Sequence, residues 1–218
     1  MSRVKDHPIA QLLVEGNDDF HVVHALFQRH DVPVRNLENP SSGYFSVKDC
    51  AGIDRLLEQI PVQLKNLQKL GLIIDADSDI QARWQSLRDI FRNSGFVLPE
   101  NPELDGTIIS QNGKSIGIWL MPNNNANGML EDFMQFLIPR EDRLLDKATD
   151  VLVEIERQNI HNYNLIHKSK ALIHTWLAWQ ETPGTPLGKA ITTRYLATEN
   201  TDISDRFINW VTRLFVNQ

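Results

Sequence analysis

The sequence contains a single cysteine, Cys50, which excludes an internal disulfide and a four-cysteine zinc ribbon. No apolar run approaches the roughly 18 residues of a membrane span. Met1 to Ala10 lacks the apolar core of a signal peptide, so a cytoplasmic location without a membrane partner is expected. Positive charge is also scarce: 22 Lys and Arg against 28 Asp and Glu leave a formal net charge of −6. Non-specific nucleic-acid affinity comes largely from phosphate neutralisation by Lys and Arg. A protein that wraps nucleic acid is therefore disfavoured, and any basic surface is small or supplied by a partner. A phosphate-binding P-loop is missing too. Gly113-Lys114-Ser115 matches its end, but Ile108 stands where its first glycine belongs, and a strand pattern follows instead of a helix. No repeat or low-complexity tract is present.

What is there starts with Leu12-Leu13-Val14-Glu15-Gly16-Asn17-Asp18-Asp19-Phe20. The apolar residues suit a buried strand, Glu15 stands at its carboxyl end, and Gly16 permits a tight turn into a helix. Phe20, Val23 and Phe27 give that helix one apolar face, which places Asp19 in its first turn. The plainer alternative makes Asn17 or Asp18 a helix cap and Glu15 a solvated loop acid.

Leu70 to Asp79 repeats the arrangement, an apolar strand running into Asp75-Ala76-Asp77. Two residues apart on an extended chain, Asp75 and Asp77 project from the same side. If the two strands are parallel neighbours, Glu15, Asp19, Asp75 and Asp77 meet at one sheet edge, where ligands of open α/β sheets collect. No cation lies close to them in sequence. Clustered carboxylates repel unless a cation sits between them, and all-oxygen donors favour Mg²⁺ or Mn²⁺ over zinc.

This pair of motifs resembles the Toprim domain of type I topoisomerases, bacterial primases, small ribosomal-RNA maturation nucleases and overcoming-lysogenization-defect (OLD) nucleases. In that family a glutamate follows the first strand and an Asp-x-Asp follows a later one. Val14-Glu15-Gly16, Asp19 four residues on and Asp75-Ala76-Asp77 carry the match, which covers roughly residues 1–138. The resemblance implies a Toprim/Rossmann-like, mainly parallel sheet flanked by helices. It also implies one or two Mg²⁺ or Mn²⁺ ions, one held by Asp75 and Asp77 and another near Glu15 and Asp19, with Glu15 as general acid or base. OLD-type domains, and small uncharacterised bacterial relatives, have a Leu-Glu after the next strand. Leu130-Glu131 corresponds, which makes Glu131 a further metal ligand or supporting acid. A late lysine that stabilises developing phosphate charge is also implied, and Lys168 or Lys170 could serve.

Between the motifs, short strands are expected at Pro33–Leu37 and Gly43–Val47, joined by a turn-rich loop at Asn39–Gly43, followed by a helix from Ile53 to Leu67 that is kinked or restarted at Pro61. A helix from Arg83 to Ser94 follows, capped by Ser78 or Asp79. Two runs flanking Gln111-Asn112-Gly113 read as a β-hairpin. Pro122 to Gly128 reads as a flexible loop leading into a helix through Leu137. From Pro139 the pattern is helical only: Leu144–Gln158, His167–Glu181, Leu187–Leu196 and Asp205–Val216. The fold class is therefore α/β, with residues 1–138 as the sheet domain and 139–218 as a C-terminal all-helical extension packed on it. Leu172, Ile173, Trp176, Leu177 and Trp179 suit packing rather than base stacking. His21 and His24, one turn apart, carry no metal-binding spacing.

Two functions fit. One is a metal-dependent phosphodiesterase, a nuclease of DNA or RNA. The other is a regulatory metal-binding module that is silent until joined by a partner, such as a separately encoded ATPase or a second copy of the chain. Nucleotidyl transfer of the primase sort is weakened by the missing zinc ribbon, and strand passage by the short chain.

Overall fold

The computed structural model describes residues 10–35, 44–199 and 201–216. Five strands form one sheet in the order β2-β1-β3-β5-β4: β1 (Ala10–Val14), β2 (Ser46–Asp49), β3 (Lys69–Asp75), β4 (Thr107–Gln111) and β5 (Lys114–Met121). β2, β1, β3 and β5 run parallel, and only edge strand β4 is antiparallel. Parallel neighbours must be joined by crossovers. α1 (Asn17–Arg29), α2 (Ile53–Asn66) and α3 (Ile80–Asn93) lie in these connections. The expected α/β sheet flanked by helices is present. The strand before Gly43 reduces, within the described residues, to a bridge between Val34 and Phe45; Asn36, Leu37 and the loop at 39–43 lie outside them.

The local signals explain most boundaries. The Asn112-Gly113 turn has both residues at positive φ, 54° and 72°, the geometry that matches strand twist in a two-residue hairpin. α3 starts three residues earlier than its apolar spacing suggests because Asp79 caps it, accepting from Ala82 N at 3.0 Å. α2 continues through Pro61 as one helix. Phe96-Val97-Leu98 forms no strand; the Gln111 side chain bonds both Val97 N and Val97 O, at 3.0 and 2.7 Å, in place of a ladder.

Two apolar layers sandwich the sheet. On one face α2 and α3 cover Leu13, Leu72, Ile74, Ile118 and Leu120. On the other, Leu12, Val14, Ile73, Trp119 and Met121 pack with α1, α4 (Leu130–Phe136) and the helices after Pro139. Those helices are α5 (Arg143–Arg157), α6 (Lys168–Ala178), α7 (Leu187–Thr192) and α8 (Asp202–Phe215). α8 returns to the sheet where two glycines leave room. A Cβ on Gly71 would lie 2.9 Å from the Phe215 ring, and one on Gly117 would lie 2.4 Å from Leu214 Cδ2. In α6, Leu172, Ile173, Trp176 and Leu177 are buried as the spacing predicts, whereas Trp179, just past its end, is 40 % exposed.

Candidate functional site

The parallel register places the ends of β1 and β3 side by side, Val14 opposite Ile73. One residue beyond, Glu15 turns toward β3, and its Oε1 accepts from Asp75 N at 2.7 Å. It is half-buried, so it is not a solvated loop acid. The cap of α1 is Gly16 rather than Asn17 or Asp18. Asp19, in the first turn, reaches back to accept from Gly16 N at 3.1 Å and is only 8 % exposed. Asp75 Oδ1 accepts from Leu130 N at 3.0 Å, which ties the end of β3 to the start of α4. The next residue on α4, Glu131, is 4 % exposed and lies 3.4 Å from Lys170 Nζ on α6.

Asp77 corrects the extended-chain picture. β3 ends at Asp75, and Asp77 takes a left-handed φ of 54°, so the two carboxylates do not share a strand face. Asp77 instead pairs with Arg83. The lack of a nearby cation is also corrected: Arg83, from the first turn of α3, donates Nη2 to Asp77 and Nε to Asp75 O at 3.1 Å. No acid-x-acid pattern signals this arginine. Its one sequence cue is its place one turn after the Asp79 cap, on a helix that begins where the acidic motif ends.

The loop expected to be flexible is knitted internally. Asp77 and Gly128 exchange backbone hydrogen bonds at 2.8 Å each. Asn127 accepts from Ile80 N at 2.9 Å and donates to Ser78 O at 2.6 Å, while buried Asn124 accepts from Leu120 N at 2.7 Å. Gly128 has φ 139°, and a Cβ there would lie 2.6 Å from Asp132 Oδ2. That Asp132 oxygen accepts from Met129 N at 2.9 Å, and its other oxygen takes the Ser169 hydroxyl of α6. α6 thus reaches α4 twice, through Ser169 and Lys170. Lys168 faces away into an ion pair with Glu156 on α5, 2.6 Å apart.

Burial acts first on the acids, and mutual repulsion adds to it. Burial, then the charges of Asp19, Glu15, Glu131 and Asp77, push the Asp75 carboxyl up to about 9. Burial and Glu15 push Asp19 up to about 7 against its amide contacts, and burial raises Glu15. Among the described residues no three His, Cys, Asp or Glu side chains are posed to hold a metal ion. Glu15, Asp19 and Asp75 each give one oxygen to a backbone amide, and Asp77 gives one to Arg83.

These directions set a pH dependence. Between the ordinary aspartate range near about 4 and about 9, folded Asp75 binds more protons than the unfolded chain. Its contribution to stability therefore falls as pH rises across that window. Asp19 acts in the same sense up to about 7. In EDTA, Asp75→Asn is expected to melt well above the parent at pH 8 and to converge with it near pH 4. A gap of constant size in thermal melts across that range would show that ionisation of buried Asp75 is not the cause.

A family model described as "Protein of unknown function (DUF3226)" matches residues 9–216. The chain belongs to this family. The DUF3226 match takes in the whole sheet, the acids from Glu15 to Glu131 and Lys170, and crosses Pro139 without a break. No curated protein and no solved structure matches the chain. Among the described residues of this DUF3226 protein, no helix is long and apolar enough to cross a membrane.

Proposed function

We propose that this protein is a divalent-metal-dependent phosphodiesterase, a nuclease acting on DNA or RNA, with a site related to that of Toprim domains. The observation that carries the reading is the convergence of Glu15, Asp19, Asp75, Asp77 and Glu131 from the ends of parallel strands and the start of α4, close enough that their charges add to burial in raising the proton affinity of Asp75 and Asp19. The donors are all oxygen, which fits Mg²⁺ or Mn²⁺. A cation among them would relieve the repulsion that now raises Asp19 and Asp75. Glu15, Asp19, Asp75 and Glu131 would hold it, with Asp77 released from or shared with Arg83. When bound, such an ion supplies Lewis acidity toward a phosphoryl oxygen and makes water a better nucleophile. Glu15, half-buried with a raised proton affinity, suits proton transfer to or from the attacking or leaving oxygen. Lys170, at the rim with its side chain 51 % exposed, is placed to meet phosphate charge.

A second reading, a metal-responsive regulatory module completed by a partner such as an ATPase or a second copy, is favoured by one observation. The carboxylates are engaged by amides and Arg83 rather than posed around a common centre. The test is cleavage of labelled single- and double-stranded DNA and RNA with Mn²⁺ or Mg²⁺ and with EDTA. Metal-dependent cutting of any substrate is expected. No cutting, together with a melt shifted by Mn²⁺, would favour the module.

A further inference from the structure

A cleft of about 1040 Å³ lies between α1, α7 and the outer edge of the sheet. α1 lends Phe20, His21 and His24 to its lining, α7 lends Lys189, and Arg35 comes from the sheet edge. Asn17 and Asp18 line it too, so the cleft begins at the start of α1, where Asp19 joins the acid cluster. Its sides are held in place. Gly188 of α7 sits on the α1 backbone, where a Cβ would lie 2.7 Å from His21 O. Arg35 N donates to Phe45 O at 2.7 Å, so the arginine hangs from paired backbone. Asp18 is the one carboxylate in the lining, against the two cations Arg35 and Lys189. Among the described residues neither cation is in an ion pair. Arg35 Nε is buried and has no hydrogen-bond partner there. A buried donor left without an acceptor is costly, more so on a charged group, and a guanidinium stays charged at any working pH. An anion in the cleft would satisfy it. Near α1 the lining is aromatic instead: the Phe20 ring lies 4.4 Å from that of His24 and edge-on to His21 at 5.5 Å. Burial, then His21, lowers the proton affinity of His24, which leaves a neutral imidazole with one donor and one acceptor. A ligand matched to both parts carries negative charge and a flat heteroaromatic ring.

We propose that this cleft binds a nucleotide unit, its phosphate held by Arg35 and Lys189 and its base packed against Phe20 and His24. The unit is a free nucleotide or one residue of a strand that leads to the acid cluster; the recognising chemistry is the same. The inference goes beyond the phosphodiesterase reading and does not need it, since binding requires neither metal nor cleavage. The test is made in EDTA, by calorimetry with adenosine and uridine monophosphates and with inorganic phosphate, and by fluorescence anisotropy with a labelled single-stranded oligonucleotide, as DNA and as RNA. Binding of the mononucleotides identifies a free ligand, and binding of the oligonucleotide alone identifies a strand. Lys189→Glu and Arg35→Ala should each weaken binding at least about tenfold, the size of a lost charge-assisted hydrogen bond. His24→Ala should weaken it about fivefold or more through lost stacking, and inorganic phosphate should bind more weakly than the nucleotide unit by a similar factor. Arg92→Glu, at an exposed site on α3, controls for overall charge and should change nothing. Lys189 and His21 are exposed, so Lys189→Glu and His21→Ala, which also removes a ring, still decide the matter if Arg35→Ala or His24→Ala unfolds. No binding by the parent, phosphate binding as tightly as the nucleotide, affinity that Lys189→Glu keeps, or equal losses from Lys189→Glu and Arg92→Glu would overturn the assignment. Because cleavage is never read, failure of the phosphodiesterase reading leaves this result unaffected.

Discussion

Glu15→Gln is expected to lower metal-dependent cleavage by at least about 100-fold, the lower end of what a positioned proton-transfer group contributes, while melting like the parent. The fold should tolerate the change because the structural duty of this side chain is to accept from Asp75 N, and the glutamine carbonyl can accept in the same place. The amide cannot take up a proton in the working pH range, and it is a poorer ligand for a hard cation. Removing a charge from beside Asp75 and Asp19 also relieves repulsion, so stability in EDTA should hold or rise. Cleavage rates and thermal melts from one preparation check both halves. Full activity in the variant would remove Glu15 from the chemistry, and a collapsed melt would make it structural.

Trp210→Ala is expected to destabilise the fold by about 3–5 kcal/mol, the range for large aromatic truncations in packed cores. Trp210 is fully buried on α8, between Trp119 of β5 and Phe207, with ring centroids at 5.8 and 5.9 Å. Its Nε1 donates to Thr107 O at 3.4 Å. Gly106, with φ 79°, makes room for it: a Cβ there would lie 2.3 Å from the indole. Little around the indole can collapse into the vacated space, since backbone lines one side and two aromatic rings the other. The urea midpoint should fall with the slope unchanged. A loss below about 1 kcal/mol would mean that α8 is docked loosely.

Short-range physics made much of this legible in the sequence. Leu12-Leu13-Val14 and Leu72-Ile73-Ile74 are apolar on successive residues because parallel strands are buried on both faces. Asn112-Gly113 and Asp79 state a turn and a cap in the local chain. Harder to read were features set by partners distant in sequence or by backbone geometry. Asp77 looked like a strand residue until its left-handed φ turned it toward Arg83. Lys168 and Lys170 are indistinguishable as letters; only the packing of α6 on α4 sends one to Glu131 and the other to Glu156. Nor does any periodicity mark Gly71 and Gly117 as the seats of α8, since the side chains that need the space come from Leu214, Phe215 and Trp210, roughly a hundred residues or more later.

That last arrangement also orders events during synthesis. β1, β3 and β5 leave the ribosome well before the last helix that packs on one of their faces, and the part of that face that α8 covers stays wet until α8 has emerged. Contacts between residues so far apart in sequence form slowly, and uncovered apolar strands invite association with other chains in the interval. The segment around Trp210 therefore governs when the newborn chain becomes safe from aggregation as well as how firmly the finished one holds together.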